Sequence, residues 1–66
     1  MSYTKAFRQA LKDADTTVAM VVKAVGELEQ MRLQERNPMK RSSITERIVM
    51  GRAWLKEKEV ANARNN

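Results

Sequence analysis

The chain has 66 residues, no cysteine, no histidine and a formal net charge of +5. A chain of this length forms at most one domain and buries only about 60% of the surface that its unfolded form exposes. Disulfide bonds and the common zinc sites are excluded, so self-association or a partner remains as the means of raising a marginal stability.

The sequence carries no signal for membrane insertion or secretion. No run of about 18 apolar residues occurs, and the first residues lack the continuous apolar segment of a signal peptide. The expected location is the cytoplasm.

A short amphipathic helix is predicted over about residues 2–14. Apolar and small side chains recur there at helical spacing, with bases on the opposite side. Ser2 or Thr4 can cap its start, and the run from Asp13 to Thr17 indicates a tight joint with the next helix.

Residues 16–37 predict the central helix of the fold, with Asp15 or Thr16 as its cap. One face repeats at the i, i+3, i+4, i+7 spacing of a helix through Val18, Val21, Val22, Val25 and Leu28. This face is widened to about half of the circumference by Met20, Ala24 and Met31. Such a face needs neighbouring helices on several sides. Glu29 and Arg32 also lie on this face, and they need charge partners if they are buried.

A strand is the alternative for residues 17–25, because β-branched residues are frequent there. A half-buried strand would alternate apolar and polar residues, whereas Val21 and Val22 are consecutive. Helix is therefore favoured, and Asn37-Pro38 is expected to end it.

A third helix is predicted over about residues 43–62, after a turn from Pro38 to Ser42. Ser43 and Glu46 have the S-x-x-E spacing of a capping box, which marks a helix start. Its apolar stripe holds Ile44, Ile48, Gly51 and Leu55, with Trp54 at the border. Residues 63–66 are expected to fray.

Two features of this third helix favour a homodimer or a larger helical assembly. Gly51 lies in mid-stripe, where glycine costs about 1 kcal/mol relative to alanine and often allows close packing. A weaker apolar strip follows the far side through Val49, Ala53 and Val60, although isolated exposed apolar residues are also normal. We predict an all-α, three-helix assembly that dimerises through its central helix and the Gly51 side of the third helix.

The residues that usually carry catalysis are missing. Without cysteine or histidine, only carboxylates could bind a metal, and pairs such as Glu27/Glu29 do not share a helix face. Serine and threonine lack a histidine base, and two glycines cannot form a phosphate-binding loop. No enzyme activity, metal or cofactor is expected.

The bases near the end of the chain are the best functional lead. Residues 38–66 hold seven bases and three acids, and therefore four of the five net positive charges. We predict a small regulatory or accessory protein that binds nucleic acid mainly by phosphate contacts, through Lys40, Arg41, Arg52 and Lys56. In the simpler interpretation these bases are a solvated face at the edge of the core.

The run from Arg41 to Val49 resembles the second helix of ribbon–helix–helix repressors, where a capped start is followed by Glu and apolar positions. That resemblance implies a preceding basic strand that pairs across a dimer. The only strand candidate, Val18 to Val25, has helical spacing and a single base, Lys23, so we do not assign the chain to that family.

A protein-interaction module or inhibitor is the competing class of function. Its interface with a partner protein would be formed by Ile44, Ile48, Gly51, Trp54 and Leu55. Binding to an anionic membrane surface is less favoured, because glutamates dilute the basic face of the third helix.

Overall fold

The structure, a computed structural model, describes the backbone of residues 2–64 and the side chains of residues 2–59. It contains three packed α-helices: α1 (Tyr3–Lys12), α2 (Val18–Gln34) and α3 (Pro38–Arg64). No strand occurs within residues 2–64, so the all-α prediction and the helical interpretation of Val18 to Val25 are confirmed.

The first two helices are capped by side-chain hydroxyls. Ser2 Oγ accepts a hydrogen bond from Lys5 N (3.3 Å), and Thr17 Oγ1 accepts one from Met20 N (3.2 Å). The cap of α2 is therefore Thr17 and not Asp15 or Thr16, because the hydroxyl of Thr16 donates to the Ala10 carbonyl at the end of α1 instead. Both helices also end two or three residues earlier than expected, at Lys12 and Gln34.

The third helix starts five residues earlier than predicted, at Pro38. Asn37 Oδ1 accepts from Met39 N (2.9 Å) and Lys40 N (3.4 Å), and the Asn37 carbonyl accepts from Arg41 N (2.9 Å). Asn37 is thus the N-cap, with proline at the first helical position, where a missing amide donor costs nothing. The predicted start at Ser43 is wrong.

The predicted frayed tail, residues 63–66, lies at the other end of α3. The helix continues through Arg64, two residues beyond the predicted end at residue 62. Residues 65 and 66 lie outside the described part of the chain.

The middle element of the fold is α3 and not α2, because α3 packs against both other helices. Its 27 residues span about 40 Å, which is long enough to carry two separate contact stripes. The short connection from α2 makes α2 and α3 an antiparallel hairpin. The core between them consists of Val21, Val25, Leu28, Ile44 and Ile48, with Phe7, Leu11, Trp54 and Leu55 packed around it.

The molecule is a thin layer of helices. Its principal extents are 44 × 23 × 14 Å, and its Cα radius of gyration is 12.8 Å, compared with about 11 Å for a compact domain of this length. One layer buries only one stripe of α2. Four residues of the predicted broad face are therefore exposed in the single chain, namely Val18 (44%), Met20 (57%), Val22 (55%) and Met31 (48%).

Candidate nucleic-acid interface

Three arginines meet in a shallow groove between α2 and α3, which we call the arginine groove. It has a volume of about 280 Å³ and is lined by Glu29, Gln30, Arg32, Leu33, Arg41 and Arg52. Arg32 comes from the last turns of α2. Arg41 and Arg52 are 11 residues, or about three turns, apart, so they share one side of α3. Two helices therefore bring together cations that are far apart in sequence.

One ion pair crosses this groove. Arg52 Nη2 donates to Glu29 Oε1 at 2.8 Å, and the side chains are 64% and 43% exposed, respectively. An exposed pair of this kind contributes at most about 1 kcal/mol of stability. Glu29, which returns to the apolar face of α2, thus has a charge partner on α3. Of the three guanidinium groups, only one is paired with the single carboxylate that lines the groove.

The structure brings together two of the four bases predicted to contact nucleic acid. Arg41 and Arg52 line the arginine groove, whereas Lys40 lines a different groove. Lys56 is exposed one turn after Arg52. Arg32 also lines the arginine groove and is not among the four bases predicted from the sequence. Its signal in the sequence is a charge on an otherwise apolar helix face, which indicates only that the charge needs a partner.

Lys40 faces a second groove, of about 370 Å³, where α1 meets the hairpin. The Arg47 guanidinium in this groove lies 5.4 Å from the centre of the Tyr3 ring, and its Nε donates to the Ser43 carbonyl (3.4 Å). Arg47 is therefore engaged by its own chain through a cation–π contact. This groove is lined by two bases and one carboxylate, Glu35, and is therefore less basic than the arginine groove, which is lined by three bases and one carboxylate.

The predicted partner interface holds the chain's own helices together. Ile44 and Ile48 are 3% and 2% exposed, and Gly51 is buried. Trp54 Nε1 donates to the Leu11 carbonyl at 2.9 Å, which holds the end of α1 against α3. Leu55 is half-buried beside the core. In this structure the five residues do not form an exposed docking surface, because α1 and α2 already cover them.

The Gly51 side of α3 is likewise unavailable to a second subunit. A Cβ at Gly51 would lie 2.5 Å from Val25 Cγ2 and 3.4 Å from Phe7 Cζ. The close approach that this glycine allows is made by α2 and α1 of the same chain. The predicted dimer contact at Gly51 is therefore corrected to an internal packing contact.

Two further properties of the described residues bear on function. They contain no group of three or more acidic side chains that could hold a metal ion. None of the helices, as far as the structure describes them, combines the length and the apolarity needed to cross a bilayer. No family model matches the sequence, and no curated protein or solved structure is detectably similar to it.

Proposed function

We propose that this chain is a non-enzymatic nucleic-acid accessory protein that binds the phosphate backbone through the arginine groove. The observation that supports the proposal is the convergence of Arg32, Arg41 and Arg52 on one groove that has a single carboxylate. Guanidinium groups suit this task because their planar donors match phosphate oxygens in pairs. The overall charge of +5 would assist the approach of a polyanion.

Phosphate contacts position a protein on nucleic acid without reading its sequence. The residues that line the groove include three arginines and no aromatic side chain on which a base could stack, so the groove suits backbone phosphates better than a base. We therefore expect little sequence preference. Three contacts would give a salt dependence with a slope of about −2.7 in a plot of log K against log salt for duplex DNA.

Single neutralising substitutions test the groove. Arg32→Gln and Arg41→Gln leave the Arg52–Glu29 pair intact, and each should weaken binding and reduce the salt slope by about 1. Fluorescence anisotropy with a labelled duplex at several salt concentrations measures both quantities. Arg8→Gln is the matched control, because Arg8 is exposed on α1 and is not part of the groove lining.

Glu29→Gln should have the opposite effect on binding. This change removes the only carboxylate among the groove-lining residues, together with its repulsion of phosphate, and frees Arg52 from its ion pair, so binding should become tighter. The proposal is wrong if duplex and single-stranded nucleic acids fail to bind at low ionic strength. It is also wrong if Arg8→Gln weakens binding as much as Arg41→Gln, since the attraction would then come from net charge alone.

We also propose that the chain forms a homodimer, because the exposed apolar residues of α2 remain uncovered in a layer 14 Å thick. Burying them against a second copy would add the apolar contact that a 66-residue monomer lacks. Sedimentation equilibrium over a range of protein concentrations should show a monomer–dimer equilibrium. A monomer at all accessible concentrations would contradict this proposal.

A further inference from the structure

Tyr3 is the most exposed of the three aromatic residues in this chain. Phe7 packs beside Gly51 at the core, and the indole of Trp54 donates to the Leu11 carbonyl. Tyr3, in contrast, is 76% exposed, although an aromatic side chain gains free energy by leaving water. The described side chains leave most of it uncovered, so its ring is accessible to a ligand.

The Arg47 guanidinium lies over the Tyr3 ring, 5.4 Å from its centre, and restricts the ring at the edge of the second groove. We call this groove the Tyr3 groove. Met31 and the buried Ile44 supply apolar surface beside the ring. The two bases of the groove, Lys40 and Arg47, outnumber its one carboxylate. A ligand that suits this lining is flat, apolar on its faces and negatively charged at one end.

We propose that the Tyr3 groove binds an unpaired base of a single-stranded nucleic acid, which stacks on the Tyr3 ring. A nucleotide combines a flat base with an anionic phosphate, and Lys40 lies in the same groove to contact that phosphate. In a duplex the bases are paired and stacked on one another, so only a single strand offers a base without the free-energy cost of unpairing. This inference rests on the proposed phosphate binding at the arginine groove and names the form of nucleic acid that the chain prefers.

The same turns of α2 and α3 line both grooves. Met31 lies at the Tyr3 groove and Arg32 at the arginine groove, and α3 repeats this division with Lys40 and Arg41. Consecutive residues of a helix point roughly 100° apart, so the two grooves lie on either side of the α2–α3 contact. The molecule is only 14 Å thick in its thinnest direction. A single strand that passes around the α2–α3 connection can therefore place phosphates at the arginine groove and a base on Tyr3.

Tyr3→Ala tests the stacking contact. It should weaken the binding of a labelled oligothymidylate about tenfold, because base–aromatic stacking is lost, and leave the affinity for a duplex of the same length unchanged. Tyr3→Phe retains the ring and should keep the wild-type affinity for both. Oligouridylate should show the same loss on Tyr3→Ala, because the ring stacks on the base and not on the sugar. Fluorescence anisotropy measures these affinities, and circular dichroism checks that each variant keeps its helices.

An abasic strand tests the same contact from the side of the ligand. A strand of equal length in which abasic units replace the thymidines keeps the phosphates and removes the bases. The wild-type chain should bind it about tenfold more weakly than oligothymidylate, and Tyr3→Ala should cause no further loss, because the phosphate contacts do not involve the ring. If Tyr3→Ala weakens binding of the abasic strand as much as binding of oligothymidylate, the residue acts without stacking and the proposal is overturned.

The outcomes separate this inference from the proposed function beneath it. A wild-type chain that binds neither single-stranded nor duplex nucleic acid at low ionic strength overturns the phosphate binding itself. If Arg41→Gln weakens binding of the single strand while Tyr3→Ala leaves it unchanged, the arginine groove is retained and the stacking site is overturned. An equal loss of single-strand and duplex affinity on Tyr3→Ala also overturns the stacking site.

Discussion

The backbone of α3 approaches its neighbours closely at Gly51 because this residue has no side chain. A glycine in mid-helix predicts close packing, and its place on the apolar stripe of α3 favours a second subunit as the neighbour. The close packing is present, but its partners are Val25 and Phe7 of the same chain. A periodic pattern identifies a residue that needs a close neighbour, and it does not say which helix supplies that neighbour.

Gly51→Ala should lower the free energy of unfolding by about 1–2 kcal/mol. The new methyl group would clash with Val25 Cγ2, and overpacking of this kind costs more than the helix propensity gained. Val25 is buried and β-branched, so it has little freedom to rotate away. Urea denaturation measures the effect. Gly26→Ala in α2 is the matched variant of opposite sign, because a Cβ at Gly26 would meet nothing within 4 Å. Equal stabilisation by both substitutions would contradict the packing described at Gly51.

At the scale of the element, the sequence placed three helices correctly and misplaced the start of the third. Ser43 and Glu46 have the spacing of a capping box, but Asn37-Pro38 lies earlier and offers a stronger start. Asn37 caps two amides, and the fixed φ of Pro38 suits the first helical turn. Ser43 lies in the second turn of α3 instead, where its hydroxyl shares a hydrogen bond of 3.3 Å with Thr4 Oγ1.

The corrected start predicts unequal effects of two similar substitutions. Asn37→Ala should destabilise the protein by about 1 kcal/mol, because two amides at the start of α3 lose their acceptor. Ser43→Ala removes only a partly buried hydrogen bond between hydroxyls and should cost less. Thermal unfolding followed by circular dichroism compares them. A larger loss for Ser43→Ala would support the capping box and contradict a start at Pro38.

At the scale of the whole molecule, the arrangement of the helices in a single layer has the largest effect on stability. Three helices in one layer leave exposed apolar residues on α2, and the radius of gyration exceeds that of a compact domain by about 2 Å. A chain of this size has little stability to spare. A partner that binds only the folded state raises stability by mass action.

The proposed homodimer therefore predicts a melting temperature that rises with protein concentration. The expected change is several degrees between dilute and concentrated samples, because dimerisation couples to unfolding. Calorimetry at concentrations spanning two orders of magnitude measures it. A melting temperature that stays constant over this range would agree with a monomer and would contradict the homodimer.

The sequence by itself determined the fold class, the number of helices, and the stripe formed by Val21, Val25 and Leu28, because helical periodicity and capping depend on residues close together in the chain. Tertiary structure decided which helix lies in the middle, which residues are covered by the chain itself, and which bases share a groove. Arg32, Arg41 and Arg52 meet only through the pairing of α2 with α3. Long-range placement of this kind depends on the register between helices, which local patterns do not specify.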